Sequence, residues 1–96
     1  MNIEFLTPAQ SELEEAYTYY EAQRQGLGAH FLDEILRVIK NIQAHPKAWP
    51  RFSDRTRRCL ASKFPYAVIY QLRENMILIV AVAHLHRKPG YWNERL

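Results

Sequence analysis

The spacing of apolar residues changes once along this chain of 96 residues, and the change separates a helical first half from a strand-rich second half. From Ala9 onward, Ala9, Leu13, Ala16, Tyr17 and Tyr20 recur three and four apart, while Glu12, Glu14, Glu15 and Glu21 occupy the other faces. That spacing predicts an amphipathic helix to about Gln25. Gly26-Leu27-Gly28 interrupts it, and Phe31, Ile35, Val38, Ile39 and Ile42 restart the same period until Pro46 ends it. Two helices joined by a short glycine turn form an antiparallel hairpin.

Residues 45–54, with Pro46 and Pro50 around Trp49, have no period and read as a loop. Beyond it the pattern is that of strands. Residues 57–61 alternate basic and apolar, residues 67–72 are rich in Val, Ile and Tyr, and residues 76–85 are a long apolar run. Glu74-Asn75 is short enough for a hairpin turn, and Asn tolerates positive φ. Ahead of the helices, residues 3–6 make a first strand that stops at Thr7-Pro8, with Thr7 as the expected N-cap. The order is β-α-α-β-β-β, an α+β class in which the helix hairpin covers one face of a small antiparallel-dominated sheet. The last apolar run belongs at the centre of that sheet, and the uncovered face is left for function. At this length one core is the expectation, hence a single domain over residues 1–96.

Charge is divided unevenly. Residues 1–45 carry seven acidic against three basic side chains, a balance of −4, whereas residues 46–96 carry ten basic against three acidic, a balance of +7. The second half is suited to an anion. The opening residues have no basic stretch followed by an apolar core, and no apolar run approaches the roughly 18 residues of a membrane span, so the expected location is the cytoplasm with no membrane partner. The single cysteine, Cys59, reads as a packed strand residue. No Gly-rich phosphate loop, nucleophile elbow or paired-carboxylate arrangement is present, which argues against nucleotide hydrolases, serine hydrolases and glycosidases.

Two groups of residues can carry chemistry. Arg57 and Arg58 lie on opposite faces of a strand, so only one of them enters a given cleft, and the spacing leaves open which. With Lys63, Arg73, Arg87 and Arg95 nearby, a basic concave surface would suit phosphates or an acidic helix, or else form a solvated strand edge. The second group is His84, His86, Arg87, Tyr91, Trp92 and Arg95. His84 and His86, two apart on a strand, share a face, as acid/base work or a metal pair requires, but no third ligand stands at a recognisable spacing, so neither a metal nor a cofactor is expected. Cutting an RNA backbone needs a proton acceptor, a proton donor and cations around the phosphate, which His, Tyr and Arg supply. Tyr91 and Trp92 either stack on bases beside Arg87 and Arg95 or fold the tail back onto the core.

Across nearly the whole chain these residues resemble the RelE/ParE superfamily of toxins. The likeness rests on the Glu-Ala-x-x-Tyr-Tyr run ending at Tyr20, Gly26-Leu27-Gly28 before Phe31, the loop from Pro46 to Pro50, Arg57-Arg58-x-Leu60, Phe64-Pro65-Tyr66-x-Val68-x-Tyr70, and Ala81-Val82-x-His84 through Arg87-x-Pro89-x-Tyr91-Trp92-x-x-Arg95. The resemblance implies a type II toxin, neutralised by a cognate antitoxin, with operator DNA bound only through the toxin-antitoxin complex. It also implies one of two targets: DNA gyrase for ParE-like members, ribosome-bound mRNA for RelE-like ones. Carried over residue by residue, RelE-type roles fall on Arg58 and Lys63 for phosphate, Arg87 for transition-state charge, and His86 or Tyr91 as acid/base. Arg95 and Trp92 join Arg58 and Lys63 as target-binding candidates. Lysines are sparse where a ribonuclease of this kind concentrates them, and the Phe-Pro-Tyr and Tyr-Trp-x-x-Arg segments look more like the ParE-type branch called plasmid stabilisation proteins. Gyrase inhibition is therefore the expected activity, with ribosome-dependent mRNA cleavage and an inactive remnant that only binds antitoxin as the alternatives.

Overall fold

A computed structural model describes residues 1–96 and gives the order β1 (Asn2–Phe5), α1 (Thr7–Gln23), α2 (Leu27–Ala44), β2 (Arg57–Leu60), β3 (Tyr66–Arg73), β4 (Met76–His84) and a terminal 3-10 turn at Asn93–Arg95. The expected β-α-α-β-β-β order and α+β class are those observed, and no helix is long and apolar enough to cross a membrane.

The two helices meet largely as their periods require. Ala9, Leu13 and Ala16 of α1 and Phe31, Ile35, Val38, Ile39 and Ile42 of α2 are buried, whereas Tyr20 is half-buried and Tyr17, on the same expected stripe, is exposed. Thr7 is not the cap of α1. Leu6 holds that position without a side-chain hydrogen bond, because its N–H still donates to Ile79 O at 3.0 Å while Gln10 N–H returns to its carbonyl at 3.0 Å. The strand pairing thus runs straight into the helix. At the other end Gly26 takes φ +88°, and the Glu21 carboxylate accepts from the N–H groups of Gly26 and Gly28, both at 2.9 Å. A carboxylate from α1 therefore satisfies the free donors at the start of α2, where the helix dipole also favours it.

Gly28 permits the close approach of the two helices. A Cβ there would lie 2.8 Å from the Tyr17 carbonyl oxygen and 2.9 Å from Glu21 Oε1. Since backbone cannot yield as a flexible side chain does, Gly28→Ala is expected to lower stability by about 1–2 kcal/mol through forced separation of the helices, read as a lower urea midpoint with an unchanged slope. A midpoint equal to that of the unaltered protein would show that the hairpin has slack.

The sheet order is β1-β4-β3-β2, with β1 parallel to β4 and the other pairs antiparallel. As expected, β4 is interior, and its residues from Ile77 to Ala83 are all buried. The Glu74-Asn75 turn forms without positive φ at Asn75, since only glycines take positive φ here. One irregularity was invisible in the continuous apolar run. Ile69 pairs with Ala81 and Tyr70 with Ile79, so Val80 faces no partner residue on β3. This β-bulge reverses the alternation: Ile77 and Ile79 face the helices, Val80, Ala81 and Ala83 face away, and Val82 returns to the helix side. His84, two residues after Val82, is thereby aimed beside α1.

The face away from the helices is not left free. Ala67, Ile69, Leu78, Val80, Ala81, Ala83 and Trp92 form a second buried cluster, with Leu6, Phe52, Tyr91 and Leu96 against it. The C-terminal tail and the loop before β2 close most of the surface that the sequence left for function, because those β3 and β4 side chains are too apolar to stand in water.

Candidate functional site

Glu12 organises the C-terminal tail. It sits on α1 among residues that read as a solvated acidic face, yet its side chain is only 13% exposed. Its Oε1 accepts from Val82 N–H and Arg95 Nη1, both at 3.0 Å, and its Oε2 accepts from Arg95 Nη2 at 2.9 Å and the Tyr91 hydroxyl at 2.6 Å. Arg87 stands at 3.5 Å from the same oxygen. The cause lies in the sheet. β1 pairs with β4 only as far as Ile79, apart from the Leu6 bond, so the edge of β4 beyond the bulge has no strand beside it. Glu12 takes the Val82 N–H and Arg95 Nη1 takes the Val80 carbonyl at 2.9 Å, so an ion pair replaces the missing strand.

Tyr91 is held between two guanidinium groups, with Arg87 Cζ 3.7 Å and Arg95 Cζ 5.2 Å from its ring centre. Burial, and then the hydrogen bond to the Glu12 carboxylate, pushes the Tyr91 hydroxyl well above the usual tyrosine range. Such a phenol keeps its proton and directs it at Glu12, so it is poorly placed to accept one. The Glu12 contact likewise raises the pKa of Arg95. Arg95, with 17% side-chain exposure, is therefore bound internally, whereas Arg87 is 57% exposed.

Beside this node, His84 and His86 come together, with ring centres 4.8 Å apart. They do so across the end of the strand: His86 lies in the following turn, and its backbone N–H donates to His84 Nδ1 at 3.0 Å. The proton of a neutral His84 therefore sits on Nε2. His84 also meets the Tyr66 ring edge-on at 5.0 Å, and burial raises the Tyr66 hydroxyl to about 12. No three His, Cys, Asp or Glu side chains converge at metal-ligand spacing.

The remaining candidates disperse. Arg58, not Arg57, points to the face away from the helices, its guanidinium 4.1 Å over the Phe52 ring, and it lines a small depression with His84, Arg87 and Pro89. Arg57 turns to the loop and donates to Trp49 O at 2.7 Å and Lys47 O at 3.3 Å. Lys63 lies elsewhere, beside His30, Asp33 and Arg37 of α2. The reason is Glu34, 3% exposed, whose Oε2 accepts from both Ser62 N–H and Ser62 Oγ at 2.6 Å and draws the β2-β3 loop onto α2. Trp92 is 3% exposed and stacks on Phe52 with ring centres 5.6 Å apart, so it packs the tail and is closed to a base. Its indole N–H has no partner, which leaves packing to hold it. The residues that sequence reasoning passed over are Glu12 and Glu34. Their only signal was an acid at a helix position adjoining the apolar stripe.

The family model described as the ParE toxin of type II toxin-antitoxin system, parDE, matches residues 3–89. Among solved structures, one titled as the chromosomal ParDE TA system from P. aeruginosa superimposes with a TM-score of 0.79 over 90% of this chain and 97% of that one, at 16% identity. At that identity the likeness speaks for the fold. Among curated proteins none matches.

Proposed function

The chain belongs to the ParE toxin family of type II toxin-antitoxin systems, and on that premise we propose that it arrests growth by binding DNA gyrase, without itself cutting nucleic acid. It is the toxin component of such a system, and its partner is a cognate antitoxin. The observation that carries the non-catalytic reading is the state of the Glu12 carboxylate. It takes the Tyr91 hydroxyl and both Arg95 Nη groups, two side chains that RNA cleavage or RNA binding would need free. Trp92 is buried and Lys63 stands apart, so of the phosphate- and base-holding candidates only Arg58 is beside Arg87 with its charge still free.

What remains open to solvent is Arg87, His86 and Arg58, a group suited to contacting a protein surface or a phosphate. The antitoxin, on this reading, sets its acidic groups against the basic second half of the chain, and operator DNA is bound only through the complex. The site of action is the cytoplasm.

Controlled expression in a bacterial host tests the proposal. The expected result is growth arrest with an induced DNA-damage response and intact bulk mRNA, and Arg87→Ala leaving RNA unaffected. Arrest with translation-dependent mRNA cuts that disappear in Arg87→Ala would instead assign ribosome-dependent cleavage to Arg87 with His86. Absence of arrest from a folded, soluble product would leave antitoxin binding as the sole activity.

A further inference from the structure

A cleft of about 290 Å³ opens where the loop before β2 meets the ends of β2 and β3, remote in sequence from the Glu12 node. Four cations line it: Lys47, Arg51, Arg55 and Arg57. The ion pairs of the protein all lie elsewhere, at Arg37, Arg87 and Arg95, so none of these four has a carboxylate oxygen within 4.0 Å. Asp54 is the only acid in the lining. Its backbone carbonyl accepts from Arg51 Nη1 at 3.3 Å, and its carboxylate lies beyond 4.0 Å from all four, one negative charge against four positive. The loop is also held in shape. Arg57 donates to two loop carbonyls, Arg58 N–H to Pro50 O at 3.2 Å, the Tyr70 hydroxyl to Pro46 O at 2.6 Å, and Ser53 Oγ is 2.6 Å from Thr56 Oγ1. Like charges gathered in one concave, braced place repel each other unless an anion enters.

The lining also narrows the kind of anion. Leu72 is its one apolar residue, and no aromatic ring faces it. A protein segment would need an apolar anchor to bind there firmly, and a single-stranded nucleic acid would need rings on which its bases could stack. Three guanidinium forks and an ammonium suit successive phosphates instead. We infer that this cleft of the chain by itself seats the phosphodiester backbone of duplex DNA weakly and without reading its sequence, so that specific binding of the operator still belongs to the complex with antitoxin. The inference goes beyond the gyrase proposal and is tested without gyrase, so either can fail while the other stands.

The test uses the purified chain and a labelled duplex of about 20 base pairs, with binding followed by anisotropy across a salt series. Each neutralised phosphate contributes a slope of about −0.9 in log affinity against log salt, so four contacts predict a loss on the order of 100-fold between 50 and 200 mM salt. The Arg51→Ala/Arg55→Ala double variant is expected to keep the melting temperature, to bind at least tenfold more weakly at the lower salt, and to lose only about tenfold over the same range. Arg24→Ala/Lys40→Ala removes the same charge from the helix hairpin and is expected to leave the slope unchanged. Equal slopes for the unaltered protein and the cleft variant, or an equal fall in the hairpin variant, would overturn the proposal. So would tighter binding of single-stranded RNA, or of a charge-matched acidic peptide, that is lost in the cleft variant.

Discussion

Glu12→Gln is expected to cost about 3–5 kcal/mol of folding stability, the usual result of removing one partner from a largely buried ion pair. Gln keeps the volume and can still accept one bond from Val82 N–H, but it has no charge to set against Arg95, whose side chain is 17% exposed. The Tyr91 hydroxyl and the second Arg95 nitrogen lose their acceptor as well. For a chain near 100 residues, each kcal/mol moves the melting temperature by about 4–8 °C, so the effect should appear as a drop of more than about 12 °C. The companion measurement is Arg95→Met combined with Glu12→Gln. If the pair acts as a unit, the double variant should lose much less than the sum of the single losses, because no unpaired charge is then left inside. Additive losses, or a single-variant drop under 1 kcal/mol, would mean that the β4 edge is held by other contacts.

Much of the fold was legible because it follows from local period. α2 is the clearest case: Phe31, Ile35, Val38, Ile39 and Ile42 are all buried, joined by Gly28 and Glu34, and Gly26 supplies the left-handed turn ahead of them. The central place of β4 was legible from its unbroken apolar run, but for the same reason its bulge was not. Where every residue is apolar, a shift of one position leaves no trace in the pattern. Glu12, Glu21 and Glu34 show the other limit. Glu12 and Glu21 sit at helical positions that read as solvated, Glu34 lies within the apolar stripe of Phe31, Ile35 and Val38, and each reaches another element: the tail and β4, the start of α2, and the β2-β3 loop. A helical period reports which residues avoid water, but it does not report which backbone donors of a distant segment lack a partner.

The same limit governs the candidate site. Tyr91, Trp92 and Arg95 have the residue types for holding RNA, and the resemblance to the superfamily placed Arg58, Lys63, Arg87 and His86 beside them. The tail folds back because an apolar second face of the sheet needs cover, and Trp92 and Leu96 supply it. Once the tail lies there, Arg95 meets the unpaired end of β4 and Glu12 meets both. Side chains suited to chemistry were therefore drawn into packing by a sheet too small to pair all of its own edges.

A second carboxylate predicts a loss that depends on pH. Glu34→Ala is expected to lower stability near neutral pH by about 2–3 kcal/mol, the scale of hydrogen bonds to a charged group that is nearly buried. Three donors lose their acceptor at once: Ser62 N–H, Ser62 Oγ and the Arg37 guanidinium. The Ser62 hydroxyl foremost, then its N–H, with Arg37 adding to them against the opposing effect of burial, hold the Glu34 carboxyl below its ordinary 4.5. The unfolded chain therefore takes up this proton at a higher pH than the folded one. The contribution is present in full above about 4.5 and disappears as pH falls through the lower folded value. Urea midpoints of the unaltered protein and the variant should differ most near neutrality and converge as pH falls below 4.5 through the lower folded value. Loosening of the β2-β3 loop should accompany the substitution, seen as faster amide exchange at Ser62 and Lys63. A gap that persists undiminished in acid would mean that packing around the Glu34 side chain, and not its charge, holds that loop on α2.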